Sequence, residues 1–218
     1  MTAPELFKYA PNTFKEVGYE KVWWLKDASA ECGAQAFVLD NYTEGYIPVK
    51  SQNKKYGQLW TAVTMKQLEK LVATNTGLIE IIPPDAKRCL YFDVDLPGVN
   101  DRSSVERCEE AILKYFPGTK MNVDGSFHDV KTSFHITVTN YYARNFVDMF
   151  PVKLFCRLHK GLGFDYRVYK RNQLMKTINQ SKLDAQFQAY IKGDVDPIKH
   201  LILHGFYEDA VDIATLNI

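Results

Sequence analysis

The sequence lacks the features that mark membrane, secreted and repeat proteins. It contains no run of about 18 apolar residues that could span a bilayer. Its start, MTAPELFKYA, does not have the basic and then apolar order of a signal peptide. Neither an internal repeat nor a low-complexity tract is present. We therefore expect a soluble intracellular protein in a reducing compartment, with no membrane partner.

Cysteine is sparse and scattered. The four cysteines are Cys32, Cys89, Cys108 and Cys156. They form no CxxC pair and no cluster with histidine, so neither a structural zinc site nor a disulfide framework is indicated. We expect buried free thiols.

Net charge is nearly absent, at +1 over 218 residues, which alone argues against a nucleic-acid partner. The distribution is uneven, however, because residues 153–182 hold eight bases and one acid, Asp165. The bases are Lys153, Arg157, Lys160, Arg167, Lys170, Arg171, Lys176 and Lys182. This window, with a net charge of +7, is either a solvated face or a surface for phosphates.

The composition, 46% hydrophobic with 13 Tyr, 13 Phe and 3 Trp, can supply a sizeable core. We expect a single domain in three parts. These are an N-terminal α/β subdomain over residues 1–85 that caps the rest, a second subdomain over residues 86–182, and C-terminal helices over residues 183–218.

Helix signals occur at three places. Capping boxes formed by Thr64 with Gln67 and by Ser103 with Glu106 predict two helix starts, the first helix covering residues 64–75. Residues 145–161 predict a third helix, closed by glycine.

The remaining patterns complete an α+β fold. Asp124-Gly125 predicts a turn ahead of the strand that carries His135, and Ala185–Ile191 and Pro197–His204 predict terminal helices. The resulting order of strand, helix, strand, strand, helix predicts an RRM-like sheet. One face of such a sheet packs on the helices and the other is open for ligands.

Two segments of this sheet, residues 89–96 and 131–138, alternate polar and apolar side chains with period two. In a β-strand this alternation places Tyr91, Asp93 and Asp95 on one face, with the two carboxylates roughly 6 to 7 Å apart along the backbone. The residues predicted to face the core are Leu90, Phe92, Val94, Leu96, Phe134, Ile136 and Val138.

The second segment presents a base, a hydroxyl and an imidazole on its polar face, from Lys131, Ser133 and His135. These groups donate hydrogen bonds to phosphate oxygens. If the two strands are neighbours, an acidic cation site lies beside a phosphate-binding surface. A third acid, Asp165, follows the helix predicted over 145–161, and three carboxylates suit Mg²⁺ or Mn²⁺ in two-metal phosphoryl transfer.

Three motifs in this order resemble those of the archaeo-eukaryotic primase superfamily, which are DxD or DxE, SxH, and a third with one acid. They are YFDVD at 91–95, KTSFH at 131–135 and FDYRVYKRNQLMKTINQSK at 164–182. The likeness is to the PrimPol branch and to primase domains of large DNA viruses such as the poxvirus primase-helicase. It covers residues 54–182. The third motif is matched at Asp165, Val168, Tyr169, Asn172, Lys176, Ser181 and Lys182.

The resemblance implies the primase fold and a role for each matched residue. Asp93, Asp95 and Asp165 are expected to hold two Mg²⁺ or Mn²⁺ ions and to be the catalytic acids. The residues expected to bind the nucleotide are Lys131, Ser133, His135, Asn172, Lys176 and Lys182. Lys54 or Lys55 is expected to touch the template.

The resemblance also implies an activity and partners. We expect template-directed nucleotidyl transfer on single-stranded DNA with NTPs or dNTPs, and a replicative helicase or a further C-terminal domain as a partner. The expected location is intracellular, in the cytoplasm, in the nucleus or at a viral replication site. Two residues depart from vertebrate PrimPol, Asp95 in place of Glu and Gln173 in place of Arg. The zinc-binding region of PrimPol has no counterpart here, so primer initiation is expected to need another domain.

Three alternatives stay open. An RRM-like module that has lost catalysis would bind single-stranded nucleic acid without a metal. A nucleotide-sugar transferase would use DxD with Mn²⁺ but leaves SxH unexplained. A rolling-circle initiator requires an HxH pair, which the chain does not contain.

Overall fold

A computed structural model describes residues 14–16, 22–26, 33–41, 46–53, 57–73, 77–178, 180 and 188–216. The chain divides into two compact units. The first comprises residues 1–81 and 174–186, and the second comprises residues 82–173 and 187–218. The described residues form four α-helices and two sheets, so the predicted α+β class is confirmed.

The first sheet has six strands in the order β1-β2-β4-β3-β5-β9. They are β1 (Phe14–Glu16), β2 (Val22–Lys26), β3 (Ile47–Asn53), β4 (Gly57–Val63), β5 (Leu78–Ile82) and β9 (Gln173–Lys176). Helices α1 (Ala34–Asn41) and α2 (Met65–Val72) accompany them. The predicted capping box at Thr64 is confirmed, because Thr64 and Gln67 each accept a backbone hydrogen bond from the other.

The second sheet is formed by five strands. They are β6 (Arg88–Pro97), β7 (Met121–His128), β8 (Lys131–Ala143), β10 (Ala189–Lys192) and β11 (Val211–Asp212). The order is β10-β7-β8, with antiparallel β6 on β8 and a short parallel pairing of β11 to the end of β8. Helices α3 (Ser104–Tyr115) and α4 (Phe150–Leu158) complete the predicted order of strand, helix, strand, strand, helix.

The apolar face of this sheet forms the core of the second unit. Phe92 on β6 packs edge-on against Phe155 of α4, with ring centroids 5.6 Å apart, and lies 6.3 Å from Phe116, which follows α3. The predicted core residues Leu90, Phe92, Val94, Phe134, Ile136 and Val138 are fully buried, whereas Leu96, near the end of β6, is only partly buried. Each such side chain contributes about 1.5 to 3 kcal/mol through removal from water. The alternation therefore fixes which face of β6 and β8 is left for polar groups.

Cysteines contribute to packing in the second unit. Cys89, Cys108 and Cys156 are buried free thiols, and Cys32 lies outside the described residues. Burial raises the pKa of Cys108 and of Cys156 to about 12. These thiols are therefore protonated and unreactive at neutral pH.

Three local predictions are wrong. Asp124-Gly125 is not a turn but lies inside β7, where Gly125 lets the strand come close to Phe134. The C-terminal helices are not seen over the described residues. Ala189–Lys192 is strand β10, and only a 3₁₀ turn, Pro197–His200, occupies the second predicted helix. Ser103 does not cap α3, because its hydroxyl donates to Asp101 instead.

The helix predicted over 145–161 is shorter than expected. Helix α4 covers Phe150–Leu158, with 3₁₀ turns at Val147–Met149 and Lys160–Leu162 on either side. In the part of the chain that the structure describes, no helix combines the length and apolar character needed to cross a membrane.

Candidate functional site

The acidic and SxH motifs lie directly opposite each other on neighbouring strands. In the antiparallel register of β6 and β8, Asp93 pairs with His135 and Asp95 pairs with Ser133. Opposed residues of an antiparallel pair point to the same face, with Cβ atoms about 5 Å apart. The two carboxylates, the hydroxyl and the imidazole therefore share one patch on the face opposite the aromatic core.

The third acid reaches this patch through main-chain hydrogen bonds. After the 3₁₀ turn that follows α4, Gly163 adopts φ of +93°, which a glycine accepts without strain. The next residues then run antiparallel to β6. Asp95 N donates to Gly163 O at 3.0 Å, and Asp165 N donates to Asp93 O at 2.8 Å. This short pairing brings Asp165 beside Asp93 from 72 positions away in the sequence.

The three carboxylates have different partners. Asp95 Oδ1 lies 2.7 Å from Lys131 Nζ, and both side chains are more than one third exposed. Asp165 accepts from Arg167 Nε at 2.8 Å and from Arg167 Nη2 at 3.0 Å. Asp93 has no comparably short ion pair with a lysine or arginine among the described residues, and His135 Nε2 lies 3.6 Å from its Oδ1.

These surroundings shift two pKa values in opposite directions. Burial raises the pKa of Asp93, whose side chain is 16% exposed, and the negative charges of Asp95 and Asp165 raise it further. The hydrogen bonds from Arg167 hold the pKa of Asp165 below its usual value. Burial and neighbouring carboxylates both disfavour the charged form of Asp93. A cation bound beside it would favour that form.

A groove of about 250 Å³ opens beside two of the acids. Its lining residues are Asp95, Lys160, Gly163, Phe164, Asp165, Tyr166 and Arg167. The groove thus combines carboxylates, which bind a hard cation, with bases, which bind phosphate oxygens.

The donor set fits Mg²⁺ or Mn²⁺, since all three acids offer hard oxygen ligands. Among the described residues, no group of three His, Cys, Asp or Glu side chains is arranged to enclose a metal ion. Asp95 and Asp165 are instead paired with Lys131 and Arg167, so a cation bound here would have to compete with these two ion pairs.

Tyr91 does not stand open on the polar face, as the alternation predicts. It is buried, and its ring lies 5.1 Å from that of Tyr169. Tyr169 OH donates to Tyr91 O and also contacts Cys156 Sγ at 3.3 Å. The third motif therefore covers the β6 face next to Asp93, and the acids sit at the open end of that face.

Two residues of the patch were missed by the sequence analysis. Asp124 on β7 pairs with His135 in the strand register, and its Oδ2 lies 3.5 Å from His135 Nδ1. Its Oδ1 lies 3.2 Å from Nδ1 of the fully buried His200. Polar residues alternate with period two along β7, a pattern that predicts a strand with Asp124 on its polar face. The Asp124-Gly125 pair was interpreted as a turn instead.

The remaining predicted residues are distributed elsewhere. Asn172 belongs to the second unit but is not among the residues lining the groove. Its backbone φ is +51°, a left-handed conformation that asparagine adopts more readily than most residues. Lys176 lies on β9 and belongs to the first unit. The predicted nucleotide ligand Lys182, the matched motif residue Ser181 and the predicted template contacts Lys54 and Lys55 lie outside the described residues.

Comparison with known proteins assigns no family. No family model matches the chain. No curated protein matches it either.

Proposed function

We propose that this chain is the catalytic module of a DNA primase or primase-polymerase. It would join nucleotides on a single-stranded DNA template, using NTPs or dNTPs, by two-metal nucleotidyl transfer. The observation that supports this most directly is the convergence of Asp93, Asp95 and Asp165 beside Ser133 and His135. Three parts of the chain have to come together to produce it, namely the paired strands β6 and β8 and the segment 163–165.

The sheet itself agrees with this proposal. The strand, helix, strand, strand, helix order, with the first strand paired to the third and the third to the second, is that of an RRM-like sheet. The acids and the SxH motif lie on the sheet face opposite the helices, where such sheets bind nucleic acid or nucleotides. The strand order departs at one point, because β10 pairs with β7 instead of β6.

In the proposed reaction, the 3′-hydroxyl oxygen of the growing strand attacks the α-phosphorus of the incoming nucleotide, the hydroxyl proton passes to water, and pyrophosphate leaves. Asp93, Asp95 and Asp165 would hold Mg²⁺ or Mn²⁺, which when bound lowers the pKa of the attacking hydroxyl and neutralises the triphosphate. Ser133 and His135 would donate hydrogen bonds to triphosphate oxygens. Lys131, released from Asp95 by the cation, would add a positive charge there.

The decisive experiment is primer synthesis and primer extension on single-stranded DNA with labelled NTPs or dNTPs, with and without Mn²⁺. We expect Asp93→Asn and Asp165→Asn to lower synthesis roughly 100- to 1000-fold, because each removes a ligand charge worth several kcal/mol in the transition state. Asp93→Asn should unfold at a temperature no lower than the original protein, since burial disfavours its charged form.

The matched control is Glu110→Gln, which neutralises an exposed acid on α3 outside the site. It should leave synthesis unchanged. Full synthesis by folded Asp93→Asn or Asp165→Asn protein would refute the proposal.

A second candidate function follows from the ion pairs of Asp95 and Asp165. Because Lys131 and Arg167 already neutralise these two acids, the patch could serve as a metal-independent surface for single-stranded nucleic acid. In that case strand binding would be the same with EDTA as with Mn²⁺, and no nucleotide would be incorporated. The extension assay, run beside a binding assay in both buffers, separates the two functions.

A further inference from the structure

We propose that Asp124, backed by His200, is a positioning residue that fixes the imidazole of His135 for its contact with the nucleotide triphosphate. This inference rests on the proposed function and concerns a pair of side chains that none of the three motifs contains. All the residues involved belong to the second unit.

The side chains stand in a row across three strands. His135 on the central strand β8 pairs with Asp93 of β6 on one side and with Asp124 of β7 on the other. Its two ring nitrogens face these two acids, with Nε2 3.6 Å from Asp93 Oδ1 and Nδ1 3.5 Å from Asp124 Oδ2. One nitrogen therefore points to the acidic cluster while the other points to the neighbouring strand.

Asp124 can hold the His135 ring in place because contacts with His200 and Gln188 fix its own position. Its side chain is 2% exposed, and Oδ1 lies 3.2 Å from His200 Nδ1. The opposite nitrogen of that ring, His200 Nε2, lies 2.8 Å from Asp194 O. The main chain of Asp124 is fixed as well, since Gln188 Nε2 donates to Asp124 O at 2.9 Å.

The second oxygen of Asp124 is left to His135. Within the described part of the chain, buried Oδ2 makes no hydrogen bond of ordinary geometry. His135 Nδ1 lies 3.5 Å from this oxygen, so a small shift of the ring toward Asp124 would complete a hydrogen bond. A buried carboxylate left without such a partner is costly, and this cost favours the ring orientation that supplies one.

Asp124 remains ionised despite its burial. Burial acts to raise the pKa of Asp124, but the contacts with His135 and His200 outweigh it and hold the pKa below the usual value. An ionised carboxylate can only accept, so it selects a ring whose Nδ1 carries the proton. With Nδ1 donating to Asp124, Nε2 is directed toward the acids and the substrate, and it donates to a triphosphate oxygen when the ring carries a proton on both nitrogens.

The kinetic test compares Asp124→Asn, His135→Ala and the double variant in primer extension. Asp124→Asn keeps the volume of the side chain and removes its charge. We expect the nucleotide KM to rise about 10-fold in Asp124→Asn, with a much smaller change in kcat. The double variant should be no worse than His135→Ala, because Asp124 acts only through that ring. An unchanged KM, or effects that multiply in the double variant, would overturn the proposal.

Asn122→Ala is the matched control. Asn122 lies two positions earlier on the same face of β7 and holds the segment 194–199, donating to Lys199 O at 2.7 Å and accepting from Asp194 N at 2.8 Å. In the strand register, Asn122 pairs with Thr137 and Asp124 pairs with His135. We expect it to lower thermal stability while leaving the nucleotide KM within about twofold. A KM as high as that of Asp124→Asn would mean that loosening the loop is sufficient.

A spectroscopic readout on the unmutated protein tests the proposal independently of activity. In the ¹⁵N-labelled full chain, the ring nitrogens of His135, assigned by the loss of their signals in His135→Ala, should show a protonated Nδ1. An unprotonated Nδ1 would reject the positioning role even if primer synthesis is observed. Conversely, a protonated Nδ1 in a chain that makes no primer would reject the proposed function and leave the Asp124 contact standing.

Discussion

In the proposed metal complex, the three acids of the site would respond differently to the cation. Asp95 and Asp165 would give up ion pairs with Lys131 and Arg167, whose basic side chains are exposed to water. Asp93 would lose nothing comparable, because burial and the neighbouring carboxylates raise its pKa. The two released bases would become available to phosphate groups.

The burial of His204 predicts that the free energy of unfolding decreases at acid pH. Burial lowers its pKa from 6.5 to about 4, and its Nε2 has no hydrogen bond within the described part of the chain. The unfolded chain takes up this proton below pH 6.5, whereas the folded chain does so only near pH 4. The associated stability is therefore complete above pH 6.5 and is lost as the pH falls toward 4, by roughly 2 kcal/mol at pH 4.5.

The measurement is the free energy of unfolding in urea at pH 7 and at pH 4.5. His204→Leu, which cannot take up a proton, should lose less stability between the two pH values than the original protein does. His128→Gln, a change at an exposed histidine, should behave like the original protein. Equal pH sensitivity in His204→Leu would contradict the prediction.

At the scale of elements, the spacing of β7 and β8 depends on Gly125. A Cβ built at this position would lie 2.4 Å from Phe134 Cβ and 2.6 Å from Ser133 O. We expect Gly125→Ala to destabilise the protein by about 1 to 3 kcal/mol, because one strand has to move away from the other. It should also reduce primer synthesis, since Ser133 and His135 lie on the displaced strand.

Gly161→Ala provides the control for this change. Its Cβ would meet nothing within 4 Å, and its φ is not positive. Chemical denaturation should show a change within about 0.5 kcal/mol. A Gly125→Ala protein as stable as Gly161→Ala would show that the strands can absorb the added methyl group.

Strands β6, β7 and β8 illustrate which structural features follow from sequence alternation and which do not. Alternation correctly assigns Phe92 and Phe134 to the core, because one face of their strands is covered by helices. It fails for Tyr91, which Tyr169 covers from a distant part of the chain. Asp124-Gly125 was wrongly predicted to be a turn because glycine occurs both in turns and where two strands approach closely. Here Gly125 lies inside β7 and allows the close approach to β8.

Long-range contacts explain the rest of what was missed. Asp124 and His200 are 76 positions apart, and no local pattern links them. The arrival of Asp165 at Asp93 was expected from resemblance to a family, whereas the means of arrival, a main-chain pairing after Gly163, could be seen only in three dimensions.

At the scale of the whole molecule, a net charge of +1 conceals a strongly basic segment. Within the second unit, this segment has four exposed bases that form no ion pair with a described acid, namely Arg157, Lys160, Lys170 and Arg171. A single-stranded template lying along them would release counterions. Its affinity would then fall with salt by about 0.7 log units per log unit for each phosphate neutralised.

Removal of two of these charges should flatten that dependence. We expect Lys170→Gln with Arg171→Gln to reduce the slope by about 1.4, measured by fluorescence anisotropy of a labelled oligonucleotide between 50 and 200 mM salt. Lys192→Gln is the control, because Lys192 already binds Glu109 Oε2 at 2.7 Å. An equal change of slope in the two proteins would place the template elsewhere.

The interleaved order of the two units has a consequence during synthesis on the ribosome. Strand β5 ends at Ile82, but its neighbour β9 is not complete until Lys176 has been translated. At common elongation rates the nascent chain therefore carries an unpaired sheet edge for on the order of 10 seconds. Leu78–Ile82 is fully buried in the finished protein. An apolar edge of this kind promotes association between chains, so chaperone capture should be greatest in this interval.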